Sequence, residues 1–282
     1  MIDNIPMEFH PLARLDARRL RVAWQGAAAT MAAPDGLLAQ AAQPLLERLD
    51  DIHLTPARIL DLGDRSGLLA RQLQKRWPKA EIYAMAYAGP RQRERGLPWR
   101  RRPWHLLGTA EQLPFAGGQF DLVISSMALH WSNHLPTVFR EIRRVLAADR
   151  LLLFTVAGGE TLRELHACLA QLDQERYGHP WVRRPELPSL SGLGDLLAAS
   201  GLVLPVVDRE RVVLPIPDST WLLRQLRAMG AGNHMQVRPG GLLGKGFLHA
   251  LDGLYREKFS QQDGSLGCTL ELLFGHAWKK SQ

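Results

Sequence analysis

Residues 59–68 read Ile-Leu-Asp-Leu-Gly-Asp-Arg-Ser-Gly-Leu, an apolar run that ends on an acid and passes through glycines into a second apolar stretch. The pattern predicts a strand that turns into a helix over a glycine loop. Glycine has no Cβ and tolerates φ > 0, so such a loop lets the backbone pass close to a nucleotide-like ligand at a helix N-terminus. The full form of the loop is Asp-Leu-Gly-x-Gly-x-Gly, and in this chain Arg65 stands where the middle glycine would be.

Outward from this loop the chain alternates short apolar runs with helical stretches. ARILDL (57–62) is followed by a helix over 67–77, then AEIYAMA (80–86), WHLLG (104–108), FDLVISSM (120–127), a helix over 135–147 and RLLLFTVA (150–157). Strands and helices of these lengths in alternation predict βαβ units and a parallel sheet. The strands are almost continuously apolar, as expected where helices cover both faces of the sheet. The expected fold is α/β: a doubly wound, mostly parallel, Rossmann-like sheet.

The flanks differ from this core. Residues 12–50 alternate apolar and charged positions at helical spacing around a Pro34-Asp35-Gly36 break, with the second helix ending near Leu49. After residue 158 come helices near 160–175 and 191–200, the latter closed by Gly201, then two β-like runs, LVLPVVD (202–208) and RVVLPIP (211–217). Helices over 218–230 and 242–259, joined by the basic AGNHMQVRPGG, precede a final strand, CTLELLFGHAWKK. The division read from this is an N-terminal helical lead-in (1–55), a core (56–217), a late helical cap insertion (218–262) and a last core strand (263–282).

Composition places the 282-residue chain among ordinary globular proteins, with 46% hydrophobic and 22% charged residues. There is no run of about 18 apolar residues and no apolar leader at the start, so a cytoplasmic protein without a membrane segment is expected. Cys168 and Cys268 are too few for a disulfide framework and read as small buried hydrophobes. The net charge of +7 favours an acidic partner, whether nucleic acid, anionic lipid or acidic protein. Lys occurs only at 75, 79, 245, 258, 279 and 280, and an excess carried by Arg is also what a GC-rich genome would produce.

The glycine loop followed by GTAEQLPFAGGQFDLVISSMALHW (108–131) resembles the class I methyltransferases that use S-adenosylmethionine, whose sheet has seven strands. ALHWSNHLPTVFREIRRVL, LLLFTVAGGETLRELHACL, LRAMGAGNHMQVRPGGLLGKGFLHALDGLYREKF and the terminal FGHAWK narrow the resemblance. Together they are similar to the malonyl-acyl-carrier-protein O-methyltransferases of biotin synthesis, from about residue 20 to the end. The portion from 120 to 165 also resembles a mitochondrial complex I assembly factor, so the C-terminal third discriminates.

The resemblance implies methyl transfer from S-adenosylmethionine to the free carboxylate of a malonyl thioester on an acidic acyl-carrier protein. That carboxylate is ionised at neutral pH, so the reaction needs alignment rather than a general base, and no catalytic side chain is expected. Asp61, Gly63, Ser66, Gly67, Ala110 and Leu113 match the family's cofactor-binding positions. Three positions depart from it: Arg65 for glycine, Ala86 where an acid would bind the ribose hydroxyls, and Thr109 where an aspartate would bind the adenine amino group. Each lost polar anchor is worth about 1–3 kcal/mol. Two readings follow, a working methyltransferase and a protein of the same fold that binds an acidic partner without chemistry. An RNA- or small-molecule-modifying enzyme is a third.

His130 and Trp131 are expected to line the substrate mouth beyond the fourth strand, or simply to pack there. His130 and His134, read as closing a strand and opening a helix, lack a third ligand nearby in sequence, so no metal site is expected. Arg224, Arg227, Arg238 and Lys245 are candidate contacts to an acidic substrate or carrier, with a solvated basic face as the alternative. Trp221, Leu222, Leu226 and Met229, then Phe247, Leu248, Leu251 and Leu254, read as stripes packing the cap. RQRERGLPWRRRPW (91–104) could stack on nucleic acid, but its place between the second and third strands favours a solvated loop or a carrier-docking patch. Ser125-Ser126-Met127-Ala128 lacks the Pro-Pro-aromatic motif of many base-modifying methyltransferases. Tyr177 and Tyr255 are not distinguishable from ordinary half-buried tyrosines.

Overall fold

The computed structural model describes residues 14–27, 37–64, 67–88, 102–240 and 244–281, and not the side chains of 37–40. The chain begins with two helices, α1 (Ala17–Ala27) and α2 (Leu37–Glu47). The core follows as β1 (Arg58–Leu62), α3 (Leu68–Arg76), β2 (Glu81–Ala86), β3 (Trp104–Leu107), β4 (Phe120–Ser126), α4 (Leu135–Val145) and β5 (Leu146–Ala157). Then come α5 (Arg163–Tyr177), α6 (Leu190–Ala199), β6 (Val203–Ile216), α7 (Ser219–Ala228), α8 (Lys245–Phe259) and β7 (Leu266–Lys279).

The seven strands lie in the order β3-β2-β1-β4-β5-β7-β6. β1 pairs in parallel with both β2 and β4, and β4 with β5, whereas β7 runs antiparallel between β5 and β6. The sheet is therefore the mostly parallel, doubly wound one that the apolar runs predict. Its order reverses between β1 and β4, the place where ligands of open α/β sheets bind.

Side-chain alternation explains the two packed faces. Leu60, Leu62 and Val123 join Val138, Phe139 and Ile142 of α4 and Leu193, Leu196 and Leu197 of α6 on one side. Ile59, Ile82, Leu122 and Ile124 join α2 and α3 through Leu45, Leu69 and Leu73 on the other. Each fully buried side chain of this size contributes about 1.5–3 kcal/mol. A third cluster ties α5, α7 and α8 to β7 around Cys168, Leu251, Tyr255 and Cys268, and burial pushes the two thiols up to about 11 and about 12. Tyr255 donates its hydroxyl to the Gly267 carbonyl at 2.9 Å, which accounts for it structurally.

Two local readings are corrected. The runs at 202–208 and 211–217 form one strand, β6, whose register shifts between Val203 and Val206 next to Leu204 at φ 51°. The charged pair Arg209-Glu210 separates the two apolar runs, but its backbone pairs with Leu273 and Leu272 of β7 without interruption, and Pro205 and Pro215 are tolerated because β6 lies at the sheet edge. His130 does not close a strand, because β4 ends at Ser126 and His130 sits in a single 3-10 turn, Leu129–Trp131. The Pro34-Asp35-Gly36 break and the Arg/Trp run up to residue 101 lie outside the described residues.

Candidate functional site

At the β1–α3 turn the chain must leave the sheet sharply. Gly63 adopts φ 90° and its amide donates to the Met85 carbonyl at 2.6 Å. A Cβ at this position would overlap the Ala128 Cβ, so glycine is required here by packing of the β1 and β4 mouths alone. Gly67 adopts φ 71° at the N-cap of α3, and its amide donates to Asp64 Oδ1 at 2.6 Å. Arg65 and Ser66 lie outside the described residues.

Asp61 is the chemically unusual group in this turn. It is 0% exposed, and neither carboxylate oxygen has a hydrogen-bond partner among the described residues. Burial, reinforced by the adjacent Asp64 carboxylate, pushes the Asp61 carboxyl well above the usual range. A buried acid without a partner is expensive. A cation placed at this mouth would relieve it, and the α-ammonium of the amino-acid end of S-adenosylmethionine is such a group.

The neighbouring edge of the site is apolar. Ala86 is 5% exposed and clusters with Leu20 and Trp24 of α1 and with Ala88, Ala128, Trp131 and Met235. The position that lacks a ribose-binding acid is thus covered by the lead-in helix. Two polar groups come to this edge, Tyr87 just after β2 and Glu111 from the Ala-Glu-x-Leu-Pro-Phe stretch after β3. Tyr87 meets Trp24 edge-on at 5.6 Å, and burial followed by the nearby Glu111 carboxylate pushes its phenol up to about 12. Glu111 accepts the Asn133 and His134 amides at 2.6 and 3.1 Å, bringing the loop after β3 against the turn after β4.

Thr109 and Ala110 are partly exposed in that loop, and Gln112 donates its amide to the Thr109 carbonyl at 3.3 Å. Leu113 is 4% exposed, and its amide donates to Glu141, which is itself paired with Arg144 at 2.7 Å. Leu113 therefore anchors the loop to α4. The described residues fit S-adenosylmethionine at the α-ammonium of its amino-acid end through Asp61 and at an apolar edge through Ala86 and Ala88. The carboxylate pair with the ribose hydroxyls is absent at position 86.

Beyond β4 and β5 opens a cavity of about 1060 Å³, walled by α1, α5, α7 and the loops at 183–187 and 229–234. His130, Trp131, Arg224 and Arg227 line it, whereas Arg238 and Lys245 do not. His130 approaches the Ala157 amide at 3.5 Å and stacks beside Trp131, which in turn meets His234 at 5.7 Å between ring centroids. The His234 Nε2 lies 2.8 Å from the Gly230 carbonyl, so Nε2 carries the hydrogen, and burial lowers its pKa. His134 stands outside this group and caps α4 by accepting the Thr137 amide.

The cavity is basic. Arg18, Arg19, Arg183, Arg184, Arg224 and Arg227 all reach its lining. Arg183 is paired with the fully buried Asp173 at 2.5 Å. His166 is driven down to about 4 by burial and by Arg184 and Arg183, so it is neutral at pH 7 and a weak base. Cations around an apolar interior suit an anionic acceptor carried on an apolar arm. Among the described residues no cluster of His, Cys, Asp and Glu could hold a metal ion, and no helix is long and apolar enough to cross a membrane.

Known proteins resemble both the fold and the whole sequence. A model described as a methyltransferase domain matches residues 60–154, the span from β1 to β5. The malonyl-[acyl-carrier protein] O-methyltransferase of Halorhodospira halophila is 36% identical over 241 residues, covering 85% of this chain and 80% of that protein. The protein of the same name from Laribacter hongkongensis is 34% identical over 274 residues, covering 94% and 90%. Among solved structures, the YcgJ protein of Bacillus subtilis superposes with a TM-score of 0.55 at 18% identity, covering 85% of this chain and 99% of YcgJ. A phosphoethanolamine N-methyltransferase of Haemonchus contortus, in complex with S-adenosylhomocysteine, superposes with a TM-score of 0.52 at 17% identity, over 86% of this chain and 53% of that one.

Proposed function

The chain belongs to the malonyl-[acyl-carrier protein] O-methyltransferase family, and on that premise we propose that it esterifies the free carboxylate of a malonyl group carried by an acyl-carrier protein, in synthesis of the biotin precursor. The observation that carries this reading is identity of 32–36% to proteins of this name over most of the chain. When bound, S-adenosylmethionine supplies the electrophilic methyl group. Asp61, Gly63, Ser66 and Gly67 hold its amino-acid end, and Ala110 and Leu113 flank the adenine edge. Ala86, Thr109 and Arg65 are the positions at which this chain's cofactor site is rewired relative to the family pattern. Tyr87 and Glu111 are the polar groups placed to take over at the ribose edge.

The protein's task is alignment. The cavity walls keep water from the reacting carboxylate, and the surrounding arginines draw the anion in and fix its direction. His166, neutral, adds no charge of its own to that field. No proton is transferred, since the acceptor arrives ionised. His130 and Trp131 line the mouth on the core side, and residues 218–262 form the cap over it. Arg224 and Arg227, exposed at the rim, together with Arg238 and Lys245 farther out, meet the acidic carrier. The lead-in, core, cap and last strand at 1–55, 56–217, 218–262 and 263–282 are the working division of the chain.

Calorimetric titration with S-adenosylmethionine and with S-adenosylhomocysteine, followed by a methyl-transfer assay on malonyl-carrier protein, tests the reading. Binding of both ligands and formation of a methyl ester are expected. Binding of the carrier with no heat from either cofactor form at millimolar concentration, and no rise in melting temperature, would instead establish a partner-binding protein without chemistry.

A further inference from the structure

Two adjacent arginines on the loop after α5 have opposite fates. Arg183 is neutralised by Asp173, a carboxylate with 0% side-chain exposure. Arg184 has no such partner. Its Nη2 donates to the Gly159 carbonyl at 3.0 Å, just beyond the end of β5, while its Nη1 is buried without a hydrogen-bond partner among the described residues. The acid that most favours its charge is Glu160, which is ion-paired to Arg163 at 3.0 Å. Burial works against the Arg184 charge, yet a guanidinium stays protonated in proteins. The chain thus maintains a half-buried cation whose terminal nitrogen Nη1 is unused in the lining of the cavity, against the carboxyl end of β5 and in the same wall as His166.

An unused donor on a buried charge is a group awaiting an anion. We propose that Arg184 is the specificity residue that receives the acceptor's free carboxylate, through a single hydrogen bond from Nη1. The assignment rests on the malonyl reading above. Its chemistry differs from that of a fork-to-fork clamp, because one terminal arm of the fork, Nη2, is already engaged by Gly159 and Nη1 is the buried arm that has no partner among the described residues. A one-point contact holds one carboxylate oxygen and leaves the other with its lone pairs directed away from the arginine. That second oxygen forms the new C–O bond as the methyl–sulfur bond breaks, and the electron pair leaves with sulfur. The carboxylate becomes a neutral ester, so Arg184 loses its counter-charge at the moment of reaction and favours release of the product. A thioester lacking the carboxylate offers it nothing.

The test measures binding without turnover. Malonyl-pantetheine, its methyl ester and acetyl-pantetheine are titrated into the full-length chain in the presence of S-adenosylhomocysteine, for wild type, Arg184→Met and Arg184→Lys. Wild type should prefer the malonyl form over both neutral forms by about 10- to 100-fold, the range for a hydrogen bond to a charged group. Arg184→Met should lose that preference while its binding of acetyl-pantetheine and of S-adenosylhomocysteine stays within about twofold. Arg184→Lys, which keeps the charge and guards against a folding artefact, should retain part of it. Full preference in a folded Arg184→Met variant would overturn the assignment and leave the malonyl reading intact. Equal binding of all three thioesters by wild type would overturn both.

Discussion

Replacing Gly63 with alanine separates what the glycine loop does for the fold from what it does for a ligand. Two independent penalties apply. At φ 90° an L-residue is strained by about 1–2 kcal/mol or more. The added methyl must also displace the Ala128 Cβ by about 1–2 Å to reach van der Waals separation. Ala128 is 7% exposed and held among Trp24, Trp131 and Ala86, so this overpacking costs about 1–3 kcal/mol. The sum, about 2–5 kcal/mol, lowers the melting temperature by about 5–15 °C in a chain of this size. Thermal and urea melts of the free protein read this directly. Ala128→Gly removes the clash but not the backbone strain, so the double variant should be more stable than additivity predicts by about 1–3 kcal/mol. A Gly63→Ala protein that melts within 2 °C of wild type while S-adenosylmethionine affinity collapses would refute the packing argument and return the glycine wholly to the ligand.

Other outcomes follow from particular residues. Asp61 has a folded-state pKa above its unfolded value of about 3.9, so the native state binds the extra proton and stability falls as pH rises from there through the folded pKa. Asp61→Asn should therefore stabilise the ligand-free protein at neutral pH and flatten that slope in urea melts, while weakening S-adenosylmethionine binding. At a pH between the unfolded and folded pKa of Asp61, binding of S-adenosylmethionine to wild type should release protons, seen as a calorimetric enthalpy that varies with the buffer's ionisation enthalpy; an invariant enthalpy there would mean that the ligand does not ionise Asp61. Ala86→Asp should not restore a ribose anchor, because the new carboxylate is buried against α1, and a melting shift corresponding to about 3 kcal/mol or more of destabilisation is expected. Arg183→Met, which strands Asp173, should cost about 3–5 kcal/mol in denaturant melts. Charge reversal at Arg224 and Arg227 should weaken carrier association in a salt-dependent manner, and association indifferent to ionic strength would argue against electrostatic docking.

The fold was legible because its signals are local and redundant. Continuous apolar runs such as 120–127 and 150–157 admit few alternatives to buried parallel strands, and the amphipathic 135–145 segment must turn its Val138, Phe139 and Ile142 face to the sheet. β6 was read as two runs because the charged Arg209-Glu210 interrupts the apolar pattern, whereas the backbone ladder to β7 that joins them belongs to the sheet rather than to the segment. The site was legible only where backbone geometry constrains residue type, as at Gly63 and Gly67. Arg184, Tyr87 and Glu111 lie in loops without periodicity. Their significance comes from burial and from neighbours far away in sequence. Ala86 shows the limit from the other side: its identity could be seen, but the helix that covers it could not.

The wall of the cavity opposite the sheet has a topological consequence. Residues 14–16 are stitched to 234–236 by reciprocal backbone hydrogen bonds, with Gln236 reaching Leu15 across 221 residues of sequence. Asn133 holds the same segment from the β4 side. A contact of such separation closes a very long loop, and the burial of Leu15 and Met235 in one cluster with Ala86 and Trp131 offsets that entropy. One wall of the binding chamber is therefore a junction between the chain's first described residues and the loop after α7, built into a buried cluster but separate from the ladder of the sheet.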